Sequence, residues 1–320
     1  MEQLNNIVQI LAVILMTSYT LSLLARHYWA FDLFSHFKIQ YFAGGLILLL
    51  PLLFFKSYAL TLAMLIIAGA SYADIRRPMS TIQEITNTST PTITLMQYNK
   101  FFGNQRYTKI IGYLNKNTYH IDIIIFQEVL DCDILPLTEA TKKTYPYTLP
   151  LDGMRPNEVL ILSKYPIENL EIKKVCPNLC DTYGIRFKIT HSQTSPPIAI
   201  YTIHTEVPES KRKQVLRNIE LTHMAQWITK DETQNIVFMG DWNTTPYAPI
   251  FSDILKISGL NYYNQGILPE TTWPSFFGLP FLKIPIDHIL FSPSMKLKKI
   301  KKGPALGSDH HSLSATFALE

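Results

Sequence analysis

The stretch IVFMGDWNTTP, residues 236–246, decides how this chain folds. Its first four residues are apolar and predict a short buried strand that breaks at Gly240. Asp241 and Asn243 follow two positions apart, so strand alternation places both side chains on the same side. A carboxylate beside a carboxamide at a strand end can orient a water and hold a phosphate oxygen or a metal. The same residues are also common in turns, so the rest of the chain must decide between a functional site and a polar turn.

Similar apolar segments recur from residue 92 onward. They predict strands at residues 92–98, 121–127, 158–163, 184–190, 198–205, 286–291 and 312–319. Helical periodicity predicts helices at residues 106–114, 209–230 and 252–257. Many strands with few interspersed helices favour a mixed α/β sandwich. The sequence contains no G-x-G-x-x-G and no Walker loop, which argues against nucleotide-cofactor and P-loop folds.

Polar side chains stand at the boundaries of six of these strands, which predicts one convergent site on a rigid scaffold. The set contains Asn, Gln, Asp, Glu and His and no Cys, which suits a hard ion such as Mg²⁺ or Mn²⁺. Its members are Asn99, Gln127, Glu128, His204, Asp241, Asn243, Asp287, His288, Asp309, His310 and His311.

These motifs resemble those of the endonuclease/exonuclease/phosphatase superfamily, which includes DNase I, abasic-site endonucleases, neutral sphingomyelinases and inositol-phosphate 5-phosphatases. The resemblance covers residues 92–320 and implies a DNase I-like sandwich of two packed sheets flanked by helices. Each motif alone is weak, and the similarity is specific because seven occur in the family's order. They are Gln97-Tyr98-Asn99, Phe126-Gln127-Glu128-Val129, residues 161–167, Thr202-Ile203-His204-Thr205, Gly240-Asp241-Trp242-Asn243, Ile286-Asp287-His288-Ile289 and Ser308-Asp309-His310.

The resemblance also implies a role for each site residue. Glu128 is the expected principal ligand of Mg²⁺ or Mn²⁺, with Asn99 and Asp309 close to the metal or its waters. Asp241 is expected to orient or deprotonate the attacking water, and Asn243 to hold the phosphate. His310, oriented by Asp287, is expected to stabilise charge on the phosphoryl oxygens, with His204 as a second histidine. The neighbouring His288 and His311 are expected to be structural.

The first 77 residues predict a membrane anchor. Residues 7–25 carry no charge and are long enough to span a bilayer, which needs about 20 residues as a helix. Residues 39–55 and 57–73 predict a second and a third span, with a re-entrant hairpin as the alternative. A cleaved signal peptide fits poorly, because no Lys or Arg precedes the first apolar run. Residues 26–38 are expected to be a loop and residues 78–91 a linker. Such an anchor is similar to those of YafD-type bacterial hydrolases.

Positive residues flanking the spans predict the orientation. Arg26, Lys38, Arg76 and Arg77 lie on the side of the C-terminal domain, and only Lys56 lies opposite. This favours a cytoplasmic C-terminal domain, and the similarity to YafD-type hydrolases implies a bacterial inner membrane. Cys132, Cys176 and Cys180 are the only cysteines. Unpaired thiols are expected, with a local disulfide of the last two as the alternative.

The predicted activity is metal-dependent hydrolysis of phosphodiesters, with a nucleic acid as the first expected substrate. Hydrolysis of a phospholipid head group is the alternative that the anchor favours. A third hypothesis is a catalytically silent binding module, and no protein partner is evident. The net charge of +4 is too small to imply nucleic acid. The basic run Lys296–Lys302 predicts a solvated strand edge, a nucleic-acid contact or a membrane contact.

Overall fold

A computed structural model describes residues 1–80, 90–117, 120–149, 158–192, 196–263, 268–276, 278–279 and 282–319. Its helices are α1 (Glu2–Leu23), α2 (Trp29–Ser35), α3 (Lys38–Phe54), α4 (Tyr58–Arg76), α5 (Tyr107–Lys116), α6 (Asp131–Thr141), α7 (Lys211–Ile228) and α8 (Pro249–Ser258). Its strands are β1 (Thr92–Asn99), β2 (Ile123–Gln127), β3 (Tyr147–Leu149), β4 (Leu160–Ser163), β5 (Glu168–Lys174), β6 (Tyr183–Ile189), β7 (Ile198–Thr202), β8 (Asn235–Asp241), β9 (Asn261–Tyr262), β10 (Asp287–Phe291), β11 (Lys296–Lys302) and β12 (Leu313–Ala318).

The strands form two mixed six-stranded sheets that pack face to face. Their orders are β11-β12-β1-β2-β4-β3 and β5-β6-β7-β8-β10-β9. Apolar side chains from both sheets form the central core. Helices α5 and α6 pack on the outside of the first sheet, and α7 and α8 on the outside of the second. The predicted mixed α/β sandwich is therefore confirmed.

Strand pairing at the centre of each sheet brings distant motifs together. β1 is parallel to β2, and its residue Asn99 pairs with Gln127. β8 is antiparallel to β10, and Asp241 lies opposite Asp287. These pairings bring the polar ends of four strands, two from each sheet, to one end of the sandwich.

Four elements of the C-terminal domain are not predicted by the sequence pattern, and one of them is the two-residue strand β9. α6 contains Pro136, which weakens its helical signal. β3 is three residues long, and β5 is a polar edge strand. The basic run of β11 is also an edge strand, as the solvated-edge interpretation expects.

The anchor region is helical over the three predicted spans. By length and composition, α1 and α4 can each cross a membrane, and α2 with α3, bent by 59°, can form a third span. The prediction of a loop over residues 26–38 is wrong, because this segment contains α2. A seven-residue helix is not stable alone, and long-range contacts stabilise it here. Most of the predicted linker lies outside the described residues.

Cys176 and Cys180 form a disulfide bond, so the expectation of unpaired thiols is wrong for these two residues. Cys132 is free and exposed. Disulfide bonds are characteristic of proteins in oxidising compartments. This bond therefore counts against the cytoplasmic placement predicted from the positive residues.

Candidate active site

The candidate site begins with an amide shared by two carboxylates. Nδ2 of Asn99, at the end of β1, donates to Glu128 Oε1 at 2.8 Å and to Asp241 Oδ2 at 3.0 Å. Its Oδ1 accepts from the main-chain N–H of Phe101 at 2.9 Å, which fixes the orientation of the amide. The two carboxylates come from different sheets, so Asn99 joins the sheets at the site.

Glu128 follows β2 with a positive φ of 57°, which is uncommon for a residue other than glycine. Its second oxygen accepts from Phe102 N at 3.1 Å. His204, just past β7, places Nε2 3.8 Å from both Glu128 Oε1 and Asp241 Oδ2. The imidazole and the two carboxylates therefore face one small volume.

A tight turn after β8 positions Asp241 and Asn243. Asn243 has a φ of 46°, its main-chain N donates to Asp241 Oδ1 at 3.0 Å, and its Nδ2 donates to Thr205 O at 2.8 Å. A Cβ on Gly240 would lie 2.1 Å from the carbonyl oxygen of Ile203, so only glycine fits there. The turn residues predicted from sequence thus hold a strained conformation beside the site.

His310 and Asp287 form a buried ion pair. Nδ1 of His310 lies 3.0 Å from Asp287 Oδ2, and Nε2 lies 3.6 Å from Asp241 Oδ2. Burial alone lowers the pKa of His310, but the charges of Asp287 and Asp241 outweigh it and raise the pKa to about 10. His310 is therefore a cation at neutral pH.

Asp309 lies at the edge of this cluster. Its Oδ2 accepts from the indole Nε1 of Trp273 at 3.1 Å. The preceding Ser308 donates from its hydroxyl to the carbonyl oxygen of Asn99 at 2.8 Å, which ties this loop to the end of β1.

The two remaining histidines have structural surroundings. His288 is fully buried among Trp242, Phe251 and Tyr262, and burial lowers its pKa to about 4. Its Nε2 contacts the carbonyl oxygen of Thr244 at 2.8 Å. His311 contacts Lys283 and the carbonyl oxygen of Gly303.

Gln127 belongs to the candidate set and to one of the motifs, but the sequence assigns it no role. Its side chain accepts from Gln97 Nε2 at 2.8 Å and from Asp241 N at 2.8 Å, and donates to Ile203 O at 2.7 Å. It therefore links β1, β2, β7 and β8 beneath the site. The signal that could have identified its role is a Gln at the end of an otherwise apolar, buried strand. A buried amide needs several hydrogen-bond partners, so such a residue is expected to join neighbouring elements.

A groove of about 660 Å³ opens beside His204. Its polar lining includes the acidic residues Asp131, Glu158, Asp181 and Glu206, and none of its described lining residues is Lys or Arg. Apolar side chains, among them Phe102 and Val207, line the remaining wall. Two of the apolar lining side chains, Leu130 and Val207, are exposed to solvent.

The profile of the Endonuclease/Exonuclease/phosphatase family matches residues 96–310, which is more than half of the chain. The chain belongs to the endonuclease/exonuclease/phosphatase family. The matched range begins three residues before Asn99 and ends at His310, so it contains every residue expected to be catalytic or to bind the metal. Members of this family are metal-dependent hydrolases of phosphoesters, and this chain is such an enzyme.

Solved structures support the family's fold. Beta toxin from Staphylococcus aureus is 18% identical over 70% of this chain and 99% of the toxin, with a TM-score of 0.53. Sphingomyelinase C from Streptomyces griseocarneus is 14% identical over 72% of this chain and 100% of that protein, with a TM-score of 0.52. Truncated TDP2 from Caenorhabditis elegans is 17% identical over 71% of this chain and 97% of that protein, with a TM-score of 0.53. At these identities the likeness shows the fold alone. A comparison with curated proteins finds no match.

The donor chemistry of the site fits the divalent cation that the family uses. Glu128 and Asp241 share a single neutral donor, so their like charges are not neutralised by Asn99. Asp241, Asp287 and His310 bring potential ligand atoms within 4.8 Å of one another, although His310 could serve as a ligand only in its neutral form, and Asp287 Oδ1 is buried without a hydrogen-bond partner. A variant of beta toxin is a structural neighbour with bound magnesium ions.

Proposed function

We propose that the chain is a membrane-anchored phosphodiesterase that hydrolyses the head-group diester of a phospholipid. The groove beside His204 carries this proposal. Its carboxylates repel a polyanion and attract the positive charge of a cationic or zwitterionic head group. The exposed apolar side chains of its lining suit acyl chains better than they suit a sugar-phosphate backbone.

In this proposal Glu128 and Asp309 hold Mg²⁺ or Mn²⁺ with their carboxylates. Asn99 supports them by holding Glu128 through its amide, since its own oxygen is bound by Phe101 N. The bound cation supplies charge neutralisation at the phosphate.

Asp241 orients the attacking water and accepts its proton. Asn99 and the N–H of Asn243 hold the two oxygens of this carboxylate, so its orientation is fixed before the substrate arrives. Asn243 binds a phosphate oxygen. Its side-chain amide is held against Thr205, which sets the direction of its remaining N–H.

His310 donates a hydrogen bond from Nε2 to a phosphoryl oxygen, where negative charge develops during the reaction. Asp287 holds Nδ1 and keeps the ring cationic. His204 approaches the same volume from the second sheet and contributes a second donor. Preorganised donors of this kind supply most of the rate in phosphoester hydrolysis.

A nucleic acid remains the second candidate substrate, and β11 is the observation that favours it. Its lysines form an exposed basic edge that leads through residues 303–308 to Asp309 and His310. Replacing Lys298, Lys299, Lys301 and Lys302 with Gln is expected to leave lipid hydrolysis unchanged. A loss confined to the cleavage of nucleic acid would support this second candidate.

The test uses the full chain in detergent micelles with Mg²⁺ or Mn²⁺, with and without EDTA. Vesicles of phosphatidylcholine, sphingomyelin or phosphatidylinositol are compared with plasmid DNA, RNA and bis-p-nitrophenyl phosphate. We expect hydrolysis of a vesicle lipid that EDTA abolishes and that Asp241→Ala lacks. Cation-dependent cleavage of DNA or RNA without lipid turnover would overturn the lipid proposal.

We further propose that the anchor is multi-pass and that the catalytic domain faces the cytoplasm of a bacterial cell. The positive residues support this side, and the Cys176–Cys180 bond opposes it. Because Cys132 is free and exposed, we expect a membrane-impermeant maleimide to label it only after the cells are permeabilised. Labelling in intact cells would place the domain on the outer face.

A further inference from the structure

The segment between α1 and α3 packs on the catalytic domain. Asp32, in α2, is buried, and its Oδ2 lies 2.6 Å from Nη2 of Arg217, which is fully buried in α7. Gln214, one turn earlier in α7, donates to the same oxygen at 3.2 Å. Burying a guanidinium is costly unless a carboxylate pairs with it, and the carboxylate in direct contact with Arg217 comes from the anchor region, with Glu220 of α7 acting from further away.

Arg217 carries this contact to the site. Its Nη1 donates to the main-chain carbonyl oxygen of Asn243 at 3.1 Å. Asn243 is in the left-handed region, where a residue other than glycine needs its surroundings to hold it. Asp32 therefore holds the guanidinium of Arg217 in place. Arg217 in turn holds Asn243, the strained residue that is proposed to bind phosphate.

A second contact reaches the same turn two residues later. The main-chain N of Thr245 donates to Nδ1 of His36 at 3.3 Å, and the Thr245 hydroxyl lies 3.0 Å from the same nitrogen. A main-chain N–H can only donate, so Nδ1 of His36 is an acceptor and the buried ring is neutral. Two buried side chains of the anchor region thus converge on residues 241–245, the catalytic loop.

We propose that Asp32 and His36 are positioning residues for hydrolysis, and that they hold the catalytic loop from the membrane-anchor side. This inference rests on the proposed role of the catalytic loop. It makes the anchor part of the active enzyme and gives it a role beyond attachment.

A second ion pair between anchor and domain provides the matched control. Arg26 and Asp253 pair at 2.9 Å on the surface and do not contact the catalytic loop. In the full chain in detergent, we expect Asp32→Asn to lower kcat for bis-p-nitrophenyl phosphate with Mg²⁺ by about 10²-fold. We expect His36→Gln to lower it by about 10-fold. Arg26→Gln should keep kcat within about twofold of the wild-type value.

Hydrogen exchange of residues 241–247 is measured in the same preparations and does not depend on turnover. We expect faster exchange in Asp32→Asn and His36→Gln, and wild-type exchange in Arg26→Gln. A lower Tm with unchanged kcat and unchanged exchange would overturn the inference, as would equal losses in Arg26→Gln. If Asp32→Asn does not fold, the kcat and the hydrogen exchange of His36→Gln alone test the inference. Wild-type protein inactive on every substrate would refute the proposed function, and the exchange data would still decide the positioning role.

Discussion

Glu128→Ala is expected to reduce cation-dependent hydrolysis of bis-p-nitrophenyl phosphate by about 10³-fold or more. Glu128 is the proposed principal metal ligand, and both of its oxygens are already oriented, by Asn99 and by Phe102 N. Removing it leaves the cation with fewer fixed carboxylates and removes one of the three hydrogen bonds that hold the Asn99 amide. We therefore expect the affinity for Mn²⁺, measured by calorimetry, to fall together with kcat.

A matched carboxylate tests whether the effect is local. Glu232 is exposed and precedes β8 at the end opposite to Asp241. Glu232→Gln removes one negative charge from the same domain, away from the site, and should retain both metal affinity and turnover. Full activity in Glu128→Ala would show that the site is assigned to the wrong residues.

Asp287→Asn is expected to lower kcat by about 10²- to 10³-fold at pH 8. The substitution keeps the shape of the side chain and removes the charge that lies 3.0 Å from His310. Without that charge, burial dominates and the pKa of His310 falls from about 10 toward or below its ordinary value. The cationic form is then lost as the pH rises, so the deficit should be larger at pH 8 than at pH 6.

The control for this change is another Asp→Asn substitution at the far end of the domain. Asp122 precedes β2, where it accepts from Thr94 N at 2.8 Å and pairs with Lys164 at 3.0 Å. Asp122→Asn should lower the Tm and leave the pH profile of kcat unchanged. A deficit in Asp287→Asn that is equal at pH 6 and pH 8 would argue against a charge-holding role for Asp287.

The local sequence pattern predicted the parts of the site that lie at the ends of apolar strands. Asn99, Glu128 and Asp241 each follow a run of buried residues, and a buried strand has a strong local signal. Because parallel neighbours such as β1 and β2 end at the same edge, strand ends also indicate which residues meet.

The contacts that depend on distant partners could not be predicted in this way. α2 is short, and the carboxylate that stabilises it against the domain pairs with Arg217, far away along the chain. The bonds of Gln127 reach three other strands, and no local pattern specifies them. Such pairs follow from the register of the sheets and from helix packing, which only the folded chain fixes.

The position of β12 near the end of the chain determines when the first sheet can be completed during synthesis. It pairs with β1 along its length, from Thr92 with Ala318 to Gln97 with Leu313, so the first sheet is complete only when its last strand has been made. Ribosomes synthesise residues 2–76 long before that strand, so α1 to α4 are made before either sheet can be completed. The nascent domain then holds β1 with one open edge, a state prone to mispairing, until β12 emerges. The domain therefore finishes folding late, and α2 gains its stabilising contacts with Gln214 and Arg217 only after α7 has been made.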